Sequence, residues 1–104
     1  MLAFLVCFYL LLLVVRDVAA QLGDATHPNS RHIVGVMVES NLVEGNQKLE
    51  CGAGRKEKLR YGQSVTDACI SWDDTERVLQ LLAEGVQARR KVFGRGTSGE
   101  AKAE

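Results

Sequence analysis

The chain starts with an apolar run, residues 2–15, that no charged residue interrupts. The run is shorter than the roughly 20 residues of a membrane-spanning helix, and its length is typical of a buried helix or of the hydrophobic part of a signal peptide. The following RDVAAQL has apolar positions at helical spacing. Two interpretations stay open: a buried or non-native segment, or a signal peptide, residues 1–20, that is cleaved after Ala20.

Two short segments have the pattern of β-strands, and each carries one carboxylate near its carboxyl end. HIVGVMVES is apolar on both faces up to Glu39, which predicts a buried parallel strand. SVTDACI is rich in β-branched residues and contains Asp67. The residues between them, 41–62, are polar and rich in glycine and predict a long loop.

A helix is predicted over SWDDTERVLQLLAEGVQARRKVF, with Asp73 able to cap it. The order helix, strand, loop, strand, helix is typical of βα units in a parallel sheet. The last residues, 94–104, have almost nothing to bury and predict a disordered tail. The residues of the helix that form one apolar stripe are Val78, Leu79, Leu82, Val86 and Phe93.

The positions of Glu39 and Asp67 indicate a candidate cation site. In βα folds the chemistry gathers beyond the carboxyl ends of the strands. Neighbouring strands lie ~4.8 Å apart, so the two carboxylates can converge on one divalent cation. The residues alone leave an alternative open, in which Glu39 is a solvated strand end and Asp67 a loop acid.

Composition excludes some classes of function. The chain has 104 residues, zero formal net charge and 25% charged residues, which limits it to at most one domain and gives no one-signed surface for nucleic acid. The cysteines, Cys7, Cys51 and Cys69, form no C-x-x-C pair, so neither a disulfide framework nor a zinc knuckle is encoded. Cys69 follows Asp67 by two residues and is either a thiolate ligand or a buried structural cysteine.

Three motifs carry a resemblance to a known family: GVMVES, EGNQ and YGQSVTDACISW. With VVRDVAAQLGD before them, they resemble the carboxyl-terminal end of the microbial type I 3-deoxy-7-phosphoheptulonate (DAHP) synthases. The resemblance implies an α/β fold, an incomplete (β/α)8 TIM barrel consisting of about its last two βα units. Under that resemblance the chain divides into an apolar segment that is not family-like (1–15), the βα units (16–93) and the tail (94–104).

The resemblance also implies a function, the condensation of phosphoenolpyruvate with erythrose 4-phosphate in the first step of the shikimate pathway, which leads to aromatic amino acids. It makes Glu39 and Asp67 ligands of a divalent metal ion, with Mn, Fe, Co and Zn as candidates. The family completes its metal site with a Cys and a His from segments that this chain does not match. His27 echoes the family's S-H-x-N-S motif in the wrong order along the chain, which favours a loop histidine.

Further expectations concern the setting of the chain. The complete enzyme is expected to be a cytoplasmic homo-oligomer that binds neither nucleic acid nor membrane, and the isolated chain is expected to be inactive. The alternatives are a catalytically dead short protein that binds an intact synthase, or a product secreted after Ala20. Trp72 is expected to pack at the junction between the second strand and the helix.

Overall fold

The computed structural model describes residues 2–52 and 54–94, with side chains from residue 9 onward. Two long α-helices, α1 (Leu2–Gly23) and α2 (Trp72–Phe93), dominate these residues. The connection between them contains one short 3-10 helix, Lys56–Lys58, and otherwise consists of turns and extended backbone. The fold is therefore a helix pair with a long, irregular connection.

The core lies where α1, α2 and the segment before α2 meet. It consists of Val15 from α1, Ile70 from the connection, and Val78 and Leu82 from α2. Burial of an aliphatic side chain stabilises a fold by about 1.5–3 kcal/mol, so this core stabilises the packing of α2 against α1. The half-buried side chains packed around this core are Leu11, Val18, Val38 and Leu81.

The two helices approach each other closely where their facing residues are small. A Cβ atom placed on Gly85 of α2 would lie 2.8 Å from the carbonyl oxygen of Ala19 and 2.9 Å from its Cα. A Cβ atom on Gly23 of α1 would lie 2.9 Å from the Cβ of Ala88. The backbones can come this near only because both glycines lack a side chain.

The helix predicted over SWDDTERVLQLLAEGVQARRKVF is confirmed as α2, but Ser71 rather than Asp73 caps it. The hydroxyl oxygen of Ser71 accepts the backbone N–H of Asp74 at 3.2 Å, and Ser71 itself has extended backbone, as an amino-terminal cap requires. Asp73 lies two residues beyond the capping position and instead places its negative charge in the first turn, near the positive end of the helix dipole. Trp72 is 49% exposed, so its predicted packing is only partial.

The apolar stripe predicted for α2 is partly wrong. Val78 and Leu82 are buried, but Leu79 is 54% exposed and Val86 also faces solvent. The face that meets α1 contains Thr75 and Gly85 instead. Both faces have helical spacing, and the close approach at Gly85 selects the one with the smaller residues.

The two predicted strands do not form as regular strands in the described part of the chain. Residues 33–39 have no regular secondary structure and no ladder of hydrogen bonds, and Val34 and Met37 are 98% and 91% exposed. The prediction that HIVGVMVES is buried is therefore wrong for this structure. A parallel strand needs a partner along its edge and cover on its faces, and the described residues give this segment only one bridge, between Ser40 and Ile70.

Helix α1 continues from the apolar run into RDVAAQL without a break, so the predicted boundary between residues 15 and 16 falls inside one helix. Within the described residues, neither helix combines the length and the apolar character needed to cross a membrane. The predicted disordered tail lies outside the described residues except for Gly94, the carboxyl cap of α2.

Replacing Ser71 by alanine is expected to lower the free energy of unfolding by about 1 kcal/mol, because the N–H of Asp74 loses its acceptor. Urea titration followed by circular dichroism measures the change. Ser71→Asn keeps a capping oxygen and is the matched control, expected to unfold like the parent chain. Equal stability of Ser71→Ala and the parent would show that the cap does not stabilise α2.

Candidate functional site

Backbone hydrogen bonds join the segment that carries Glu39 to the end of the segment that carries Asp67. The N–H of Ile70 donates to the carbonyl of Glu39 at 3.1 Å, and the N–H of Asn41 donates to the carbonyl of Ile70 at 3.0 Å. These bonds form the parallel bridge between Ser40 and Ile70. The structure thus places the two segments side by side and parallel at this one bridge, without forming the predicted strands.

The bridge also fixes the register of the two carboxylates. Because Ser40 is level with Ile70, Glu39 is level with Cys69, and Asp67 lies two positions earlier on a bend. Both carboxylate side chains are exposed. They lie on adjoining segments, two positions out of register.

The donor atoms of these residues fit part of a metal site. Carboxylate oxygens suit a hard divalent cation, which takes six or more oxygen ligands in the case of Ca²⁺ and about six in the case of Mg²⁺. In the part of the chain that the structure describes, no group of three or more His, Cys, Asp or Glu side chains could hold a metal ion. Glu39 and Asp67 can therefore contribute to a coordination sphere and do not complete one.

The described cysteines have no disulfide partner. Cys69 is half-buried, and its thiol donates to the carbonyl of Asp67 at 3.6 Å, a contact within its own segment. Cys51 is exposed in the long connection. The side chain of Cys7 lies outside the described residues. The contact of Cys69 with the backbone favours its structural interpretation over that of a ligand.

His27 lies in the loop after α1, as predicted. Its Nδ1 accepts the backbone N–H of Asn29 at 3.2 Å, which makes it part of a local turn. Beside it, the carboxylate of Asp24 accepts the hydroxyl of Thr26 at 2.6 Å and its N–H at 2.9 Å. These hydrogen bonds from Thr26, helped by nearby His27, lower the pKa of Asp24. The loop is thus organised by its own polar side chains.

A second set of polar side chains, not singled out from the sequence, links the EGNQ motif to the segment before α2. The amides of Asn46, Gln47 and Gln63 all donate to backbone carbonyls across the connection, at 2.8–3.0 Å. Gly45 pairs with Cys69, and Asn46 with Ser64, through backbone bridges. The signal in the sequence was a pair of adjacent amide residues, Asn46 and Gln47, after a glycine. Amide side chains can hydrogen-bond backbone groups that have no backbone partner.

The chain resembles one family throughout its central part. The sequence model of the DAHP synthetase I family matches residues 11–80, which include both Glu39 and Asp67. The chain belongs to the DAHP synthetase I family. The resemblance found in the motifs is therefore confirmed. The matched region begins at residue 11, within the apolar segment 1–15 that was predicted not to be family-like.

Individual relatives agree with this assignment. "Phospho-2-dehydro-3-deoxyheptonate aldolase, Phe-sensitive" of Escherichia coli (strain K12) is 53% identical over 74 residues, covering 71% of this chain and 20% of that protein. The "phenylalanine-inhibited" aldolase of the same name from Saccharomyces cerevisiae is 53% identical over 76 residues, covering 73% of this chain and 20% of that protein. This chain thus spans about a fifth of the length of these curated relatives.

A solved structure matches in three dimensions as well. Phospho-2-dehydro-3-deoxyheptonate aldolase from Francisella tularensis SCHU S4 superposes with a TM-score of 0.59 at 43% identity. The match covers 74% of this chain and 20% of that chain. The arrangement of α1, the connection and α2 therefore has a counterpart in a DAHP synthase structure, although the described residues contain no regular strand.

Proposed function

We propose that this chain is part of a DAHP synthase, which condenses phosphoenolpyruvate with erythrose 4-phosphate in the first step of the shikimate pathway. The observation that carries the proposal is the family match over residues 11–80. The parallel bridge at Ser40 and Ile70 supports it, because it joins the two segments in the orientation that neighbouring βα units have. The chain corresponds to about two βα units of a (β/α)8 barrel, within a cytoplasmic homo-oligomer.

In this proposal Glu39 and Asp67 each supply a carboxylate to one divalent metal ion. Both side chains are exposed on adjoining segments and are open to an incoming ligand. The bound ion would polarise the aldehyde oxygen of erythrose 4-phosphate as a Lewis acid, so that the enolpyruvate carbon can attack. Carboxylates accept several divalent ions, and Mn, Fe, Co and Zn remain candidates.

The chain alone is expected to be inactive, because two carboxylates do not complete the metal site. A second function, binding to an intact synthase without catalysis, is favoured by the exposed apolar side chains of Val34 and Met37. An unpaired extended segment of this kind can add to the edge of another sheet.

A chimera tests the proposal. The segment of the Escherichia coli relative that matches this chain is replaced by the matching residues of this chain. We expect the purified chimera to consume phosphoenolpyruvate when erythrose 4-phosphate and Mn²⁺ are supplied, and the 104-residue chain to show no turnover. A chimera that folds, as judged by circular dichroism, and does not turn over would contradict the proposed function. Activity of the isolated chain would contradict its predicted inactivity.

A further inference from the structure

The side-chain amide of Gln47 joins two parts of the long connection, the EGNQ motif and residues 60–63. Its Nε2 donates to the carbonyl of Arg60 at 2.8 Å and to that of Gln63 at 3.0 Å, while its Oε1 accepts the N–H of Arg60 at 2.9 Å. The backbone N–H of Gln47 donates to the carbonyl of Ser64 at 2.8 Å. One half-buried side chain thus satisfies both backbone groups of Arg60, as a paired strand residue would.

The described residues that this contact encloses, between 48 and 59, are exposed except for the half-buried Leu59. No residue of the 3-10 helix Lys56–Lys58 is buried. The ion pair between Arg55 and Glu50, at 2.7 Å, joins two side chains that are 47% and 59% exposed. Exposed pairs of this kind stabilise a fold by about 0–1 kcal/mol. The described residues of this segment are therefore mostly exposed, and those next to Gln47, Lys48 to Glu50, line a surface pocket with Val65 and Thr66.

Anchors from the same motif hold the backbone on each side of Asp67. Before it, the amide of Asn46 donates to the carbonyl of Thr66 at 3.0 Å. After it, Gly45 and Cys69 exchange backbone hydrogen bonds of 2.8 and 3.2 Å. The carboxylate of Asp67 makes no hydrogen bond with any described residue and so remains available to a ligand.

We propose that Asn46 and Gln47 are positioning residues, whose side-chain hydrogen bonds hold the backbone of residues 60–69 and thereby fix the place of Asp67. The inference deepens the proposed function, because Asp67 matters to catalysis only if it is a metal ligand. The hydrogen bonds that carry it exist in the chain without any metal. The two ideas can therefore fail separately.

Amide hydrogen exchange on the 104-residue chain tests directly whether the side chain of Gln47 holds residues 60–69 in place. A hydrogen bond contributes about 0.5–1.5 kcal/mol, a factor of roughly 2–10 in local opening. Gln47→Ala removes the carboxamide's bonds to Arg60 and Gln63, so we expect roughly tenfold faster exchange or more across residues 60–69. Gln87→Ala is the matched control, because Gln87 is exposed on α2 and its side chain makes no hydrogen bond with a described residue.

Shortening the enclosed segment distinguishes a local loss of the Gln47 contacts from a general destabilisation of the chain. Gln47 and Arg60 are 13 positions apart. Replacing residues 49–58 by three glycine and serine residues lowers the entropic cost of closing the loop. In the Gln47→Ala background we expect this replacement to slow amide exchange across residues 60–69 by about threefold. Exchange like that of Gln87→Ala, or a loss that spreads equally through α2 and is not restored by the shorter loop, would overturn the proposal.

The effect on the metal is measured in the chimera by Mn²⁺ titration. Asn46→Ala is expected to weaken Mn²⁺ binding about 10–100-fold, as the loss of a residue that orients a ligand does, with KM for phosphoenolpyruvate unchanged. Unchanged Mn²⁺ affinity would overturn the positioning role. If the unsubstituted chimera binds no Mn²⁺, the proposed metal function fails, and the exchange experiment alone decides whether residues 60–69 are held by the motif.

Discussion

Replacing Gly85 by leucine is expected to separate α1 from α2 and to remove most of the cooperative unfolding of the chain. The first atom of any side chain at this position would lie 2.8 Å from a backbone oxygen of Ala19, which cannot move aside as a flexible side chain can. Overpacking costs about 1–3 kcal/mol and occasionally more. Small domains are stable by only about 5–15 kcal/mol in total, so the loss is a large share. Thermal unfolding followed by circular dichroism measures it.

Two further variants separate overpacking from helix propensity. Ala83→Leu adds a similar side chain to an exposed position of α2 and is expected to leave the midpoint of unfolding nearly unchanged. Gly85→Ala gains about 1 kcal/mol of helix propensity yet still introduces the close contact, so we expect a net loss smaller than that of Gly85→Leu. A higher midpoint for Gly85→Ala than for the parent would mean that the helices have room to move apart.

Glu39→Gln and Asp67→Asn are each expected to abolish most metal-dependent turnover in the chimera. Each change keeps the shape of the side chain and removes the negative charge that a divalent cation prefers. Lewis-acid stabilisation by a metal is worth several kcal/mol, so a loss of about 100-fold or more in turnover at fixed Mn²⁺ is expected. Steady-state assays over a range of Mn²⁺ concentrations measure it, with circular dichroism to check folding.

Glu44→Gln is the matched control for these two changes. Glu44 is an exposed carboxylate of the same connection, and only its backbone carbonyl takes part in the network, by accepting the amide of Gln63 at 2.9 Å. Its loss is expected to leave both Mn²⁺ affinity and turnover unchanged. Parent-like Mn²⁺ affinity in Glu39→Gln or Asp67→Asn would remove that residue from the metal site.

The helices could be predicted from the sequence because their signals are local. The apolar periodicity and the polar first turn define α2 without help from the rest of the chain. The apolar periodicity could not predict which face of α2 is buried. Gly85 is buried instead of Val86 because α1 approaches α2 closely at Gly85. The strands were predicted from local patterns, two apolar faces in HIVGVMVES and β-branched residues in SVTDACI, whereas a strand forms only when a partner accepts its hydrogen bonds. The single bridge at Ser40 shows how little pairing the described residues provide.

The residues of the candidate metal site could be chosen from the sequence, and their role as ligands stays a prediction. Glu39 and Asp67 stand at the ends of recognisable segments, so their types and places in the motifs were enough to choose them. The anchoring by Asn46 and Gln47 was not predictable, because those amides reach carbonyls 13–20 positions away and only the folded chain brings them together. The cap at Ser71 was missed for a local reason, because the helix begins two residues earlier than a cap at Asp73 would place it.

The open segment near Glu39 has a consequence for the behaviour of the chain in solution. From residue 34 to residue 38 no backbone group is hydrogen-bonded to a described residue, and the window IVGVMV carries no charge and no proline. Windows of this kind stack readily into cross-β fibrils. We therefore expect the free 104-residue chain to aggregate more readily as its concentration rises, through the unpaired backbone that a neighbouring strand would otherwise cover.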